Sequence, residues 1–387
     1  MKPIAYSRQT ISEEDIAAVA AVLRSDFLTQ GPAVPAFEQA IAARHQAAHA
    51  VAVANATVAL HIACLSLGVG SGDYVWTSPI SFVASANCAL YCGAEVDFVD
   101  IDPRTRNMSI DALAAKLEAA AADGRLPKVV IPVDFSGLPC DLSEMRALAD
   151  RYGFSIVEDA SHAVGASYRG DPVGSGHADI TIFSFHPVKI ITTGEGGICL
   201  TQDAALAARL RLLRSHGVTR EPALLTGEPD GPWYYEQVDL GMNYRLTDIQ
   251  AALGTSQLGR LDALYARREA LAARYDERLR GLPLKLPVRL NDRESSHHLY
   301  VIEVGDGTSG EPRRALYDGL RARNIEPNVH YIPIHLQPFY RNLGHAPGDF
   351  PHAEAYYRGA LTIPLFPTLS EDQQDEVVTA LTELLGG

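Results

Sequence analysis

Apolar positions in the first two hundred residues follow two alternating rhythms. Short β-rich runs fall at 50–54, 74–77, 95–99, 129–133, 154–158, 180–185 and 197–201. Each is too short to be a helix and reads as a buried strand. Between them lie stretches of helical length at 58–67, 82–92, 111–123, 142–152 and 204–215. Ahead of the first strand, 11–24 reads as a helix. Ser12 suits its N-cap, and Glu13, Glu14 and Asp15 meet the positive end of its dipole. A loop over 27–35 leads into a second helix. This alternation predicts an α/β fold with a mostly parallel sheet covered on both faces. No internal repeat or low-complexity segment interrupts it.

The rhythm changes after about residue 203. Residues 217–244 are rich in Gly, Pro and Tyr and lack a period, and loops of that length are often functional. The run 246–279 is strongly helical. A smaller α+β unit follows, with strands at 300–304 and 327–330 and helices at 313–323 and 371–385. We expect a large domain over 1–255, with 1–35 as an arm, and a small C-terminal domain over 256–387.

Composition narrows the function. The chain has 387 residues, 47% hydrophobic and 21% charged, as in ordinary globular proteins. A net charge of −14 disfavours nucleic-acid binding, so contacts to an anion must be local. No apolar run reaches membrane-spanning length, and 1–16 lacks the apolar core of a signal peptide. The five cysteines show no zinc-ligand spacing and read as reduced thiols of a cytoplasmic protein; no metal site is expected.

Three segments carry chemistry. In "VAVANATVALH" a strand ends at Ala54 and a helix starts near Thr57, which makes either an anion site or an ordinary turn capped by Thr57. In "FSIVEDASHAVG" two carboxylates, Glu158 and Asp159, close a strand at the sheet edge where α/β proteins bind ligands. A carboxylate there can hold a protonated ring nitrogen or a metal, or simply cap the next segment; His162 follows three residues on. In "SFHPVKIITTGEGG" Lys189 is either a solvated charge or an amine aimed into a cleft, where it can form a Schiff base. Ser184 could reach a phosphate on the same ligand. Gly194, Gly196 and Gly197 read as a tight return rather than a phosphate cradle, because no P-loop Lys-Ser or Lys-Thr follows. Together the segments offer an amine, a carboxylate and a helix N-terminus, which are the requirements of pyridoxal phosphate.

With "LTQGP", "NATVALH", "SPISFVASAN", "EDASHAVG", "GMNYRLTDIQAALG" and "VHYIPIHLQPFY" in the same order, the chain resembles the DegT/StrS sugar aminotransferases over essentially its whole length. The resemblance implies pyridoxal-phosphate fold type I, with a seven-stranded sheet, and a homodimer with shared active sites. Lys189 would then bind the cofactor aldehyde and move the substrate proton. Asp159 would pair with the ring nitrogen, His162 would lie near the phenolic oxygen, and Phe82 would stack on the ring. Ala56, Thr57 and Ser184 would bind the phosphate, joined by Asn243 from the other subunit. Arg245 would approach the nucleotide diphosphate. Tyr6, Asp26, Phe27, Leu28, Thr29, Asn328, Val329, His330 and Tyr331 would line the nucleotide-sugar pocket, to which the N-terminal arm contributes. Ala56, Ser184 and Asn243 would also border the substrate.

Within the family, the opening "AYS", "SPISFVASAN" and "FHPVKIITT" resemble the enzymes that aminate C4 of a UDP-linked 4-keto-6-deoxy-N-acetylhexosamine in pseudaminic acid biosynthesis, with L-glutamate as donor. Relatives acting on other UDP-, dTDP- or GDP-linked ketosugars share the same apparatus. Family members that dehydrate at C3 replace the lysine with histidine, so Lys189 argues against that activity. No basic patch or DNA-binding helix pair supports a regulator.

Overall fold

The structure is a computed structural model that describes residues 3–386. It opens with β1 (Ile4–Ala5), α1 (Glu13–Leu23) and α2 (Ala33–Arg44). Strand and helix then alternate through β2 (His49–Val53), α3 (Ala56–Ser66), β3 (Tyr74–Thr77), α4 (Ala84–Tyr91), β4 (Glu95–Phe98), α5 (Ile110–Asp123), β5 (Val129–Ile131), α6 (Leu142–Tyr152) and β6 (Ser155–Asp159). A small hairpin, β7 (Ser167–Tyr168) and β8 (Asp171–Pro172), precedes β9 (Ile180–Ser184), β10 (Gly197–Thr201) and α7 (Ala204–Arg214).

The main sheet has seven strands in the order β2-β10-β9-β6-β5-β3-β4. β10 runs antiparallel to β2 and β9, and the other pairings are all parallel. Side chains alternate along each strand, so each face has its own core. Val53, Ile131, Val157, Ile182 and Cys199 lie with the residues of α3, α4 and α7. On the other face Trp76, Val130 and Ile156 lie with α5 and α6, and Ala52, Phe183 and Ile198 with α2. Both faces are dry, which is why these strands read as continuous apolar runs.

Residues 217–244 contain a short antiparallel pair, β11 (Val218–Thr219) and β12 (Glu236–Gln237). The helical run expected over 246–279 is two helices, α8 (Asp248–Leu258) and α9 (Leu261–Arg278). The break at Gly259 and Arg260 lets α8 lie on α1 and α2 while α9 turns away to the C-terminal core. The rest of the chain comprises β13 (Leu284–Lys285), β14 (Arg293–Glu294), β15 (Tyr300–Val304), α10 (Glu311–Ala322), β16 (Ile325–Glu326), α11 (Pro338–Arg341), α12 (Pro351–Gly359), β17 (Ala360–Ile363) and α13 (Glu371–Leu385). Antiparallel β13-β15-β17 share an apolar core with α9, α10 and α13.

The strand expected over 327–330 forms earlier in the chain. Ile325 and Glu326 pair in parallel with Ile4 and Ala5. Pro327 has no N–H for a ladder, and Asn328 makes only an isolated bridge to Thr362. The backbone beyond it is therefore free to turn His330 and Tyr331 inward. Among the described residues no helix is long and apolar enough to cross a membrane.

Asp15 joins the opening helices to α8. Its carboxylate closes a capping box with Ser12 and accepts from Ser256 Oγ at 2.7 Å and Gln257 Nε2 at 2.6 Å, and it pairs with Arg260. The group is fully buried, yet these donors hold its carboxyl below the usual range despite the cost of burial. Removing a buried charge strands its partners. Asp15→Ala should therefore lower unfolding free energy by roughly 3 kcal/mol, measured by urea denaturation; an unchanged midpoint would remove Asp15 from this role.

Candidate active site

β9 and β10 are joined by residues 185–196, a loop with a closed neck. Phe185 N donates to Gly196 O at 2.9 Å, and Phe185 O accepts from Thr193 N at 3.0 Å and Thr192 Oγ1 at 2.9 Å. Gly194, at φ 80°, makes the turn. Lys189 N donates to His186 O at 2.9 Å, and the Lys189 side chain lines a cavity of about 650 Å³ at the C-terminal ends of the parallel strands. Withdrawal from water pushes its ammonium down to about 8, against the pull of Asp159.

Asp159 ends β6 on the face covered by α3 and α4. It is buried, and its Oδ2 accepts from Ser85 Oγ at 2.6 Å while Oδ1 accepts from Ser161 N at 3.2 Å. Ser81 and Ser85 are joined at 2.7 Å, so a hydroxyl relay from the start of α4 fixes this carboxylate. Ser81, Ser85 and Ser161 are absent from the sequence-based site; the i, i+4 spacing of the two α4-side serines was the available signal.

The first turn of α3 forms another wall. Asn55, not Thr57, is the N-cap, and its side chain accepts from Val58 N at 3.0 Å. The helix therefore begins at Ala56, and Ala56 and Thr57 lie in the turn whose N–H groups lack helical acceptors. Gly197 shapes this wall too. A Cβ there would stand 2.6 Å from Ala56 N and from Asn55 C. The glycine seats β10 against the helix start, beyond the tight return expected for it. Ser184, paired with Gly197 across the hairpin, is buried beside it. Phe82 lines the same cavity with 61% of its surface uncovered.

The opposite wall is built of neutral rings. Ser136 N donates to His162 Nδ1 at 3.2 Å, so the proton of the neutral ring sits on Nε2, 3.3 Å from the Tyr331 hydroxyl. Burial, then Lys189 and His330, hold His162 well below its ordinary range. Burial, with Lys189 adding, likewise pushes His330 down to about 3; its Nδ1 lies 2.8 Å from Thr362 Oγ1. Tyr6 packs on His330 with ring centroids 5.2 Å apart. His298, absent from the sequence-based site, lies 4.4 Å from the His162 ring. The fully buried Arg268 holds its turn by donating to the carbonyls of His297, His298 and Leu365.

The other expected residues lie elsewhere in the chain. Asp26, Phe27, Leu28 and Thr29 do not line the cavity; Thr29 is bridged to Thr247, and Leu28 O accepts from Asp248 N. Asn243 is bridged to Ser215 and Arg245 to Val53, both outside the lining. Asn328 and Val329 are also outside it, and Val329 packs on the C-terminal core. His335, outside the cavity lining, is fully buried with Nε2 3.1 Å from Glu354 Oε1.

The cavity fits pyridoxal phosphate. Lys189 can hold an aldehyde, Asp159 a protonated ring nitrogen, and the α3 turn with Ser184 a phosphate, while Phe82 offers an open apolar face. A profile of the DegT/DnrJ/EryC1/StrS aminotransferase family matches residues 9–382, and the chain belongs to that family. It is 39% identical over 385 residues to the Bacillus subtilis spore coat polysaccharide biosynthesis protein SpsC, covering 99% of this chain and 97% of SpsC. Its fold is similar to that of Helicobacter pylori PseC, an aminotransferase of pseudaminic acid biosynthesis, with TM-score 0.91, 31% identity and all of both chains covered. The pyridoxal-phosphate form of the sugar aminotransferase Spr1654 from Streptococcus pneumoniae gives TM-score 0.90 and 31% identity over 99% of each chain. The protein is thus a pyridoxal-phosphate-dependent sugar aminotransferase of fold type I.

The glycine contact yields a direct test. In Gly197→Ala the added methyl meets backbone that cannot swing aside. Stability should fall by about 1–3 kcal/mol and cofactor affinity by roughly tenfold or more. Titration of the cofactor-free protein with pyridoxal phosphate measures the second effect; wild-type affinity would refute it.

Proposed function

We propose that this enzyme transfers the amino group of L-glutamate to C4 of a UDP-linked 4-keto-6-deoxy-N-acetylhexosamine, the L-arabino-hex-4-ulose of pseudaminic acid biosynthesis. Glutamate leaves as 2-oxoglutarate and the C4 ketone becomes an amine. The observation that carries this reading is the full-length likeness to H. pylori PseC. A second reading, amination of a different nucleotide-linked ketosugar, is favoured by the higher identity to SpsC, a spore coat polysaccharide biosynthesis protein.

When bound, pyridoxal phosphate supplies an aldehyde that accepts amino groups and a ring that draws electrons from the adjacent carbon. The chain's own residues do the rest. Lys189 Nζ, whose depressed pKa favours the neutral amine, would hold the aldehyde carbon and would then take and return the substrate-carbon proton. Asp159, fixed by Ser85, would keep a proton on the ring nitrogen. The His162 Nε2–H is available as a donor toward the phenolic oxygen. Tyr6, His330 and Tyr331 exclude water from the sugar side.

The remaining assignments belong to the same proposal. The enzyme is a cytoplasmic homodimer, supported by five free cysteines and by the exposed Trp233, Tyr235 and Leu240. Asn243 and Arg245 act in the partner's site, where Asn243 meets the phosphate and Arg245 the diphosphate. Asp26 to Thr29, Asn328 and Val329 complete the nucleotide-sugar pocket. The large domain spans 1–255 and the small domain 256–387.

Supplying candidate UDP-4-ketosugars with glutamate and identifying the aminated product tests the substrate. The L-arabino compound should be converted; conversion of a D-sugar alone would favour the second reading. Lys189→Met should lower turnover by roughly three orders of magnitude or more. The same change removes a desolvated ammonium, so cofactor-free protein should melt higher by roughly 2–4 °C. Normal turnover in this variant would overturn the assignment of Lys189.

A further inference from the structure

Behind Asp159, on the other face of β6, lies a second acid. Strand alternation that sends Asp159 into the cavity sends Glu158 toward α6. Glu158 pairs in register with Thr181 of β9 and accepts from its Oγ1 at 2.7 Å. On its other side Val133 is bridged to Asp159, and Asp134 N donates to Asp159 O at 3.1 Å. Asp134 therefore shares the face of Glu158, where its Oδ1 accepts from Cys140 N at 2.9 Å.

Each carboxyl group then has one oxygen left. Asp134 Oδ2 and Glu158 Oε1 are both fully buried and have no donor. The bridge of Val133 to Asp159 and the Asp134 N–Asp159 O bond set the two side chains next to each other on this buried face, where each bears on the other's proton. Neither carboxylate can donate, so two bare anions would face each other in a dry interior. Such pairs keep one proton between them. Burial pushes both acids up, Glu158 to about 7 with the charge of Asp159 adding to it, and the Glu158 anion raises Asp134 further, while a protonated Asp134 favours the Glu158 anion. The ionisable groups around the pair are Asp159 on β6 and Cys140 and Asp141 ahead of α6. The Cys140 thiol is itself pushed up by burial and these acids, and Asp141 is paired with Arg293 at 2.7 Å.

We propose that Asp134 and Glu158 share one proton and form a positioning pair for Asp159, holding a single fixed negative charge behind the carboxylate that faces the cofactor ring. The proton limits this corner to two negative charges where three acids meet. The remaining charge strengthens the hold of Asp159 on a proton placed before it. This role rests on the proposed pairing of Asp159 with the ring nitrogen, whereas the shared proton does not.

Infrared spectroscopy of cofactor-free protein tests the shared proton. At pH 7 the wild type should show the C=O stretch of a protonated carboxyl group, shifting when aspartate or glutamate carboxyls are labelled with carbon-13. The band should vanish in Asp134→Asn and in Glu158→Gln, because an amide donor replaces the proton in either variant. Absence of the band in wild type, or its survival in both variants, overturns the shared proton. The pH midpoint of the visible band of bound cofactor tests the effect on Asp159. Each single variant keeps one negative charge and should match wild type. The double variant loses it, and its midpoint should fall by roughly half a unit to one unit. A double variant at the wild-type midpoint overturns the positioning role. Asp159→Asn separates the two ideas: an unmoved midpoint there refutes the ring-nitrogen assignment, and the infrared band still decides the shared proton.

Discussion

At Gly197 the backbone of β10 presses so closely on the Asn55–Ala56 peptide that one methyl group would stand 2.6 Å from it. The cleft depends on this approach. β10 enters antiparallel between β2 and β9, so its first residue reaches the edge where the parallel strands end. There it meets the start of α3 on one side and the neck of the Lys189 loop on the other. One strand thereby sets the spacing between an amine and a helix N-terminus that are more than 130 positions apart in the chain. A side chain at 197 would separate the two ends of any ligand bridging them.

The interior around that cleft is arranged by protonation state more than by ion pairing. Lys189, His162, His298 and His330 all have their cationic forms disfavoured, with burial as the first cause. The cluster avoids accumulating positive charge and makes the neutral, nucleophilic form of the amine easier to reach. Neutral rings still need their protons placed; the Thr362 hydroxyl faces Nδ1 of His330, and a main-chain N–H faces Nδ1 of His162. Ser136 supplies it to His162 from a left-handed conformation, φ 64°, that few residues other than glycine adopt. Arg268 contributes in a different way, spending a buried cation on three carbonyl groups to hold the turn behind His162.

Much of this was legible in the sequence because strands buried on both faces leave uninterrupted apolar runs. The seven main strands and the helices between them fall within a residue or two of the expected positions. The three chemical segments were legible for a related reason, since each ends or follows such a strand. What stayed hidden depends on pairings across long separations. β17 is four residues against a proline, and nothing local distinguishes it until Tyr300–Val304 lies beside it. Ser85 resembles any helical serine until Asp159 arrives from β6. His298 sits in "SSHH", a polar stretch whose role exists only because Gly137, at φ 97°, admits Ser296 against it. Asn243 and Arg245 were placed by family likeness alone, and in the single chain neither borders the cavity.

The parallel pairing of Ile4 with Ile325 has a consequence for the birth of the protein. A ribosome releases the first strand more than three hundred residues before its partner exists. During synthesis the opening segment has no sheet to join, and Tyr6 has no His330 to rest on. The mostly parallel sheet can close once β10 has emerged, but the wall that carries Tyr6 must wait for the C-terminal core. A nascent chain stalled between those points would hold a finished sheet and an open cleft. Order of assembly, as well as final geometry, thus separates the half that holds the cofactor from the wall that closes over it.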